Sequence, residues 1–193
     1  MTVTDVNVVK SAIFERPDDA NKGTLGSLLC VCGSYGMAGA AVMSAKGALR
    51  TGIGLAKCAL PRSIYPIVAQ TILESVYYPL SENADGRISK VNVPFLVSES
   101  CKSSATLVGC GLGVCDDTLK IVFSLIENST TPLVLDADAL NCVAKQPEIL
   151  LRKKAPIIIT PHPGEMSRLT GLATPLVNCL LYTSPSPRDK RQS

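Results

Sequence analysis

The 193-residue chain is 46% hydrophobic and 18% charged, which excludes a disordered polymer and allows one sizeable core rather than two. Aromatics make up 4% and Trp is absent, so the core must come from Val, Ile, Leu and Ala, as in a parallel sheet covered on both faces. The net charge is +3, its Lys and Arg residues are spread out, and Arg188, Lys190 and Arg191 near the C-terminus supply much of it, so no basic patch argues for a nucleic-acid partner.

Residues 1–21 are polar, with early acids and no apolar signal-peptide core, and read as surface. Leu28–Cys32 reads as a buried strand broken by Gly33. Ala41, Val42, Ala45, Ala48 and Leu49 recur at helical spacing, which predicts a helix from about Ala38 to Thr51. Leu55–Leu60 is the next strand, stopped by Pro61; a short helix at Ile64–Gln70 and a strand at Ser75–Tyr78 follow. Ala105–Val108 is a strand leading into the glycine turn GCGLG. Asp116 or Asp117 is the expected N-cap of a helix carrying Leu119, Val122, Phe123 and Ile126 on one face. Leu133–Leu135 is a strand, Ala139–Ala144 a helix, Ile157–Thr160 a strand ending at Pro161, and Gly164–Thr170 a helix. This alternation predicts an open, layered α/β sheet. No apolar run reaches transmembrane length, so neither a membrane span nor a membrane partner is expected, and the expected compartment is the cytoplasm.

The eight cysteines (Cys30, Cys32, Cys58, Cys101, Cys110, Cys115, Cys142 and Cys179) sit mostly in apolar runs such as LLCVCG, where they act as small hydrophobes. No CxxC pair accompanies the single histidine, so zinc is not expected, nor is a disulfide framework.

Four turns follow predicted strands and should therefore line one edge of the sheet, where open parallel sheets bind ligands. GSYGMAGAA (Gly33–Ala41) combines small residues with a helix N-terminus that favours phosphate, although a plain βα turn has the same composition. It is neither a Rossmann fingerprint nor a P-loop. GCGLG (Gly109–Gly113) suits either close backbone approach to a ligand or turns with positive φ. In LDADALN, one of Asp136 and Asp138 is expected to cap the next helix and the other to meet a ligand, Mg²⁺ or a ribose hydroxyl. In TPHPGE, Pro161 and Pro163 fix the backbone around His162, at a strand end suited to ligand contact.

Taken in order, NKGTLGSLLCVCGSYGMAGAAVMSAKGALRTGIGLAK, GCGLG, LDADALN and TPHPGEMSRLTG resemble the NAD(P)H-hydrate dehydratases over roughly Lys22–Gly171. The resemblance implies a ribokinase-like three-layer αβα sandwich, incomplete at the C-terminus. It also implies repair of NADH or NADPH to whose nicotinamide ring water has added. The hydroxyl is phosphorylated by ADP or ATP with Mg²⁺, and phosphate then leaves. Similarity to the bacterial type implies ADP. Carried over by position, Ala40, a glycine of GCGLG (Gly111 or Gly113) and His162 would contact the hydrated nucleotide. Asn21 and Cys110 depart from the family's usual His and Pro. The full-length protein is expected to be a homo-oligomer. Another ribokinase-like small-molecule kinase, or an inactive nucleotide-binding fragment, are the competing expectations.

The resemblance also sets a boundary. The family's GxGD-type motif, with its catalytic Asp, lies downstream of HPGE and does not occur in this sequence, so no residue here is expected to be catalytic. From Cys179, CLLYTSPSPRD matches a translated sequencing-adapter end. The expected organisation is a partial ribokinase-like domain over 1–178 and a non-native, disordered tail over 179–193.

Overall fold

The computed structural model describes residues 23–183. These form a six-stranded sheet in which every pairing is parallel. The strands are β1 (Ser27–Val31), β2 (Leu55–Pro61), β3 (Val76–Leu80), β4 (Ala105–Val108), β5 (Leu133–Leu135) and β6 (Ile157–Ile159). Their order is β3-β2-β1-β4-β5-β6, so the winding direction reverses between β1 and β4.

The reversal explains the layers. Right-handed crossovers place connecting helices on one face while the winding runs outward from β1 through β2 to β3, and on the other face when it runs from β4 to β6. Accordingly α1 (Ala38–Arg50) and α2 (Tyr65–Thr71) cover one face. The other is covered by α3 (Val93–Cys101), α4 (Asp116–Asn128) and α5 (Asp138–Val143). Strand parity divides the core between them. In β1, Leu29 and Val31 join the α4-side cluster, whereas Cys30, with Cys32 just beyond the strand, joins the α1-side cluster. In β2, Ala56, Cys58 and Leu60 face α1 and Ala59 faces the opposite side. Two further helices, α6 (Pro163–Thr170) and α7 (Thr174–Thr183), follow β6 and pack on each other.

The sandwich is incomplete on one side. Over β5 and β6 the α1 face carries no helix among the described residues. Val134 is half-buried there and Ile158 is 59% exposed. The predicted strands agree with the observed ones to within two residues, and β2 extends through Pro61. The helix α3 has no counterpart among the sequence-based expectations. The N-cap of α4 is Cys115, not Asp116 or Asp117. Cys115 forms a capping box with Thr118 and leaves both acids in the first turn, where they complement the helix dipole. Helix α7 crosses the expected boundary at Asn178; residues 184–193 of the expected tail, like Lys22 and the segment before it, lie outside the described residues. No helix among the described residues is long and apolar enough to cross a membrane.

Candidate ligand site at the switch point

Because all strands are parallel, the four turns leave from the same edge, and hydrogen bonds join them in sheet order. The Gly33 N–H donates to the Cys110 carbonyl (2.9 Å), and the Ser34 hydroxyl donates to the Gly111 carbonyl (2.8 Å). The Gly113 N–H donates to Asp138 Oδ2 (2.8 Å). The Thr160 hydroxyl donates to Asp136 Oδ1 (2.8 Å), and the Cys110 thiol donates to Asp136 Oδ2 (3.3 Å). The turns after β1, β4, β5 and β6 are thus one connected rim.

At its centre, the turn after β4 presses on the first turn of α1. Gly111 is buried, with φ +64°, and a Cβ on it would stand 2.7 Å from Ala40 Cβ and 3.1 Å from Met37 Cβ. Only glycine allows this approach. Ala40 and Gly111 are therefore in contact where the sheet reverses, the place at which doubly wound sheets open a crevice. Gly113 lies one turn further on, under the Arg87 side chain.

Gly39 separates the ligand-binding reading of GSYGMAGAA from the plain-turn reading. It has no positive φ, and a Cβ there would meet no protein atom within 4 Å. Neither conformation nor packing demands glycine at this position. What the missing Cβ leaves is room at the N-terminus of α1. That end has no side-chain cap on its N–H groups and no acid in its first turn. It is electrically suited to phosphate.

His162 stands at the far end of the rim, exposed, as the N-cap of α6. Its Nδ1 accepts from the Gly164 N–H (3.0 Å). Its Nε2 approaches Glu165 Oε1 at 3.2 Å, and the backbone N–H of His162 donates to Glu165 Oε2 at 2.9 Å. A nitrogen that accepts carries no proton, so Nε2–H faces the buried Glu165 carboxylate. The ring is held by this reciprocal capping box as well as by its flanking prolines.

The two aspartates differ from the sequence-based expectation. The N-cap of α5 is Ala137, at φ +48°, and neither Asp136 nor Asp138 caps the helix. Asp138 instead accepts from Gly113 and Asn141, and Asp136 from Thr160 and Cys110. All four carboxylate oxygens therefore have protein donors. No group of three or more His, Cys, Asp or Glu able to hold a metal occurs among the described residues. The chain does not fit a dedicated Mg²⁺ cage there. Sequence reasoning also passed over the turn Asn83–Arg87, which seats Gly86 against Tyr35 and Arg87 over Gly113. Its signal was the Asn-x-Asp-Gly string, in which Asn83 Oδ1 accepts from the Asp85 and Arg87 N–H groups.

A family model described as NAD(P)H-hydrate dehydratase matches residues 28–183. The chain belongs to the NAD(P)H-hydrate dehydratase family. A bifunctional NAD(P)H-hydrate repair enzyme from Thermofilum pendens is 38% identical over 156 residues, covering 81% of this chain and 30% of that protein. An ADP/ATP-dependent NAD(P)H-hydrate dehydratase from Bacillus subtilis, crystallised with ATP and Mg²⁺, matches with TM-score 0.66 and 29% identity. That match covers 89% of this chain and 56% of the other. A ribokinase-like superfamily protein from Enterococcus faecalis shares the fold alone, with TM-score 0.74 at 19% identity over 89% of this chain and 57% of that one. The ribokinase-like fold expected from the motifs is thus the fold of the dehydratase family, and the chain spans between about a third and a little over half of these relatives.

Proposed function

We propose that the rim at the β1–β4 switch point binds hydrated NADH or NADPH through Ala40, Gly111, Gly113 and His162. In the full-length protein this site would serve dehydration of (6S)-NAD(P)H hydrate at the expense of ADP, with ATP as the alternative donor. The observation that carries the reading is Gly39: an absent side chain that neither the backbone nor the packing requires, at the open N-terminus of α1 beside the Ala40–Gly111 contact.

The chemistry asks little of this half of the fold. Backbone N–H groups of α1 would hold a pyrophosphate, and the glycine turn would admit the nicotinamide nucleotide closely. Phosphorylating the ring hydroxyl replaces a poor leaving group, hydroxide, by a good one. Mg²⁺ would enter with the phosphate donor. No residue of this chain is assigned to catalysis, since the GxGD-type motif is absent from the sequence. For the same reason the 193-residue chain is read as binding without turnover. Another small-molecule kinase activity has no specific observation in its favour. We place the full-length protein in the cytoplasm as a homo-oligomer.

Two measurements test this. Calorimetry on the 193-residue chain should show NADPH binding and no ADP binding; absence of NADPH binding overturns the site. The full-length protein of the parent gene should restore NADH absorbance from hydrated NADH with ADP or ATP. A stable phosphorylated product without elimination would point to a kinase instead.

A further inference from the structure

The turn after β4 carries a feature that nucleotide binding does not use. Cys32 leaves the end of β1 and Cys110 the end of β4, both toward α1, in a cluster with Cys30 and Cys58. The peptide N–H that follows Cys32, that of Gly33, donates to the carbonyl of Cys110 itself at 2.9 Å. The two residues are therefore neighbours across one interstrand hydrogen bond. Adjacent strands lie about 4.8 Å apart, within the Cα separations of about 4.4–6.8 Å that disulfides span. Their side chains belong to one cluster, in which the half-buried Cys110 packs against the group that includes Cys32.

The surroundings distinguish this pair from the other thiols. Cys110 is half-buried at the rim, whereas Cys32 is 1% exposed beneath it. Cys110 also donates to Asp136 Oδ2 at 3.3 Å, which fixes its side chain at the rim. The hydrogen bond from Cys32 also lowers the Cys110 thiol from its ordinary value, and hydrogen bonding to Cys110 together with burial raises Cys32. Cys110 is thus the more readily deprotonated thiol of the pair and the one placed to meet an oxidant. The other is protected and placed behind it.

We propose that Cys110 and Cys32 are a redox-active pair that a hydroperoxide converts to a disulfide joining the end of β1 to the end of β4. Cys110 thiolate attacks the peroxide oxygen, the O–O bond breaks, and the leaving alkoxide or hydroxide takes up a proton, which gives Cys110 sulfenic acid. The Cys32 sulfur then attacks the Cys110 sulfur. The S–O bond breaks, and the departing hydroxide leaves as water with the Cys32 proton. Two thiols are oxidised and one hydroperoxide is reduced, to water with its alcohol or with a second water. The disulfide would tie the turn after β1 to the turn after β4, one residue from Gly33 and one from Gly111.

The test is titration of the reduced 193-residue chain with hydrogen peroxide, then alkylation under denaturing conditions and peptide mass spectrometry. Circular dichroism before and after checks that the fold persists. The expected result is joint loss of Cys32 and Cys110 from the alkylatable thiols, a linked peptide pair that dithiothreitol releases, and continued alkylation of Cys58 and Cys142. In Cys32→Ser, Cys110 should pass on to sulfinic acid instead of forming the link. Sulfinic Cys110 in the unsubstituted chain, a link that persists in Cys32→Ser through Cys30, or Cys110 joined only to another molecule would each overturn the proposal. NADPH binding is not needed for the readout, so its failure leaves this result interpretable.

Discussion

Single residues carry most of what makes the rim specific. Gly111→Val places a branched side chain where even a Cβ meets Ala40 at 2.7 Å, on a backbone with φ +64°. It should weaken NADPH binding at least about tenfold and cost about 1–3 kcal/mol of stability. Calorimetry and urea unfolding read the two effects. His162 has a structural and a proposed ligand role, and Asn separates them because Asn is a good N-cap. His162→Asn should leave the urea midpoint close to that of the unsubstituted chain while weakening NADPH binding about tenfold. Unchanged affinity would leave the histidine as a cap alone. Away from the rim, Glu99 is buried among Lys102 (2.9 Å), Tyr78 (3.1 Å) and Lys57 (3.6 Å). The hydrogen bond from Lys102, aided by Tyr78, holds its carboxyl below the usual glutamate value. A depressed folded-state value contributes stability that is fully present above the ordinary value of about 4.3 and is lost as pH falls through the folded one. Urea midpoints should therefore drop as pH falls below that ordinary value, and Glu99→Gln should shrink that drop.

Elements with one clear period were legible in the sequence, and those with mixed signals were not. Strand β1 and helix α1 announced themselves through an apolar run, a glycine break and a 3.6-residue repeat. Helix α3 did not: Pro94 reads as a breaker, and Ser98, Ser100 and Cys101 blur its far end. Yet proline is tolerated in a first turn, where its missing N–H has no intrahelical partner. Caps were similarly misread. A propensity ranking favours Asp at the start of α4, but Cys115 has the extended backbone that a cap needs, and Thr118 returns the bond to its N–H. At α6 the box is His162 with Glu165, and Glu165 is 6% exposed. Glu165→Ala should cost about 1 kcal/mol in urea unfolding, because it frees the His162 N–H and removes the carboxylate facing Nε2.

At the scale of the whole molecule, the layered fold leaves one surface without a covering helix among the described residues. Strand β6 is an edge, and Ile158 on it is 59% exposed on the face that lacks a helix. An apolar edge strand is a template for association. The 193-residue chain should self-associate with rising concentration in light scattering, and Ile158→Lys should suppress that association without lowering the urea midpoint. A chain that stays monomeric and unfolds cooperatively with ordinary stability would remove this expectation.

The sequence by itself determined the class of fold, the order of the strands along the chain and which turns lead from strand ends, because apolar periods and glycine breaks are local signals. Through the resemblance of four such turns it also pointed to the dehydratase family. Only the tertiary structure decided that β1 and β4 are neighbours, since the reversal of winding is a property of crossovers and no residue encodes it. That adjacency is what brings Ala40 against Gly111 and Cys32 against Cys110. It also decided the partners of Asp136 and Asp138, whose donors Thr160, Cys110 and Gly113 come from other turns of the rim. A carboxylate's partners across a sheet edge are fixed by strand order, not by its neighbours in the chain.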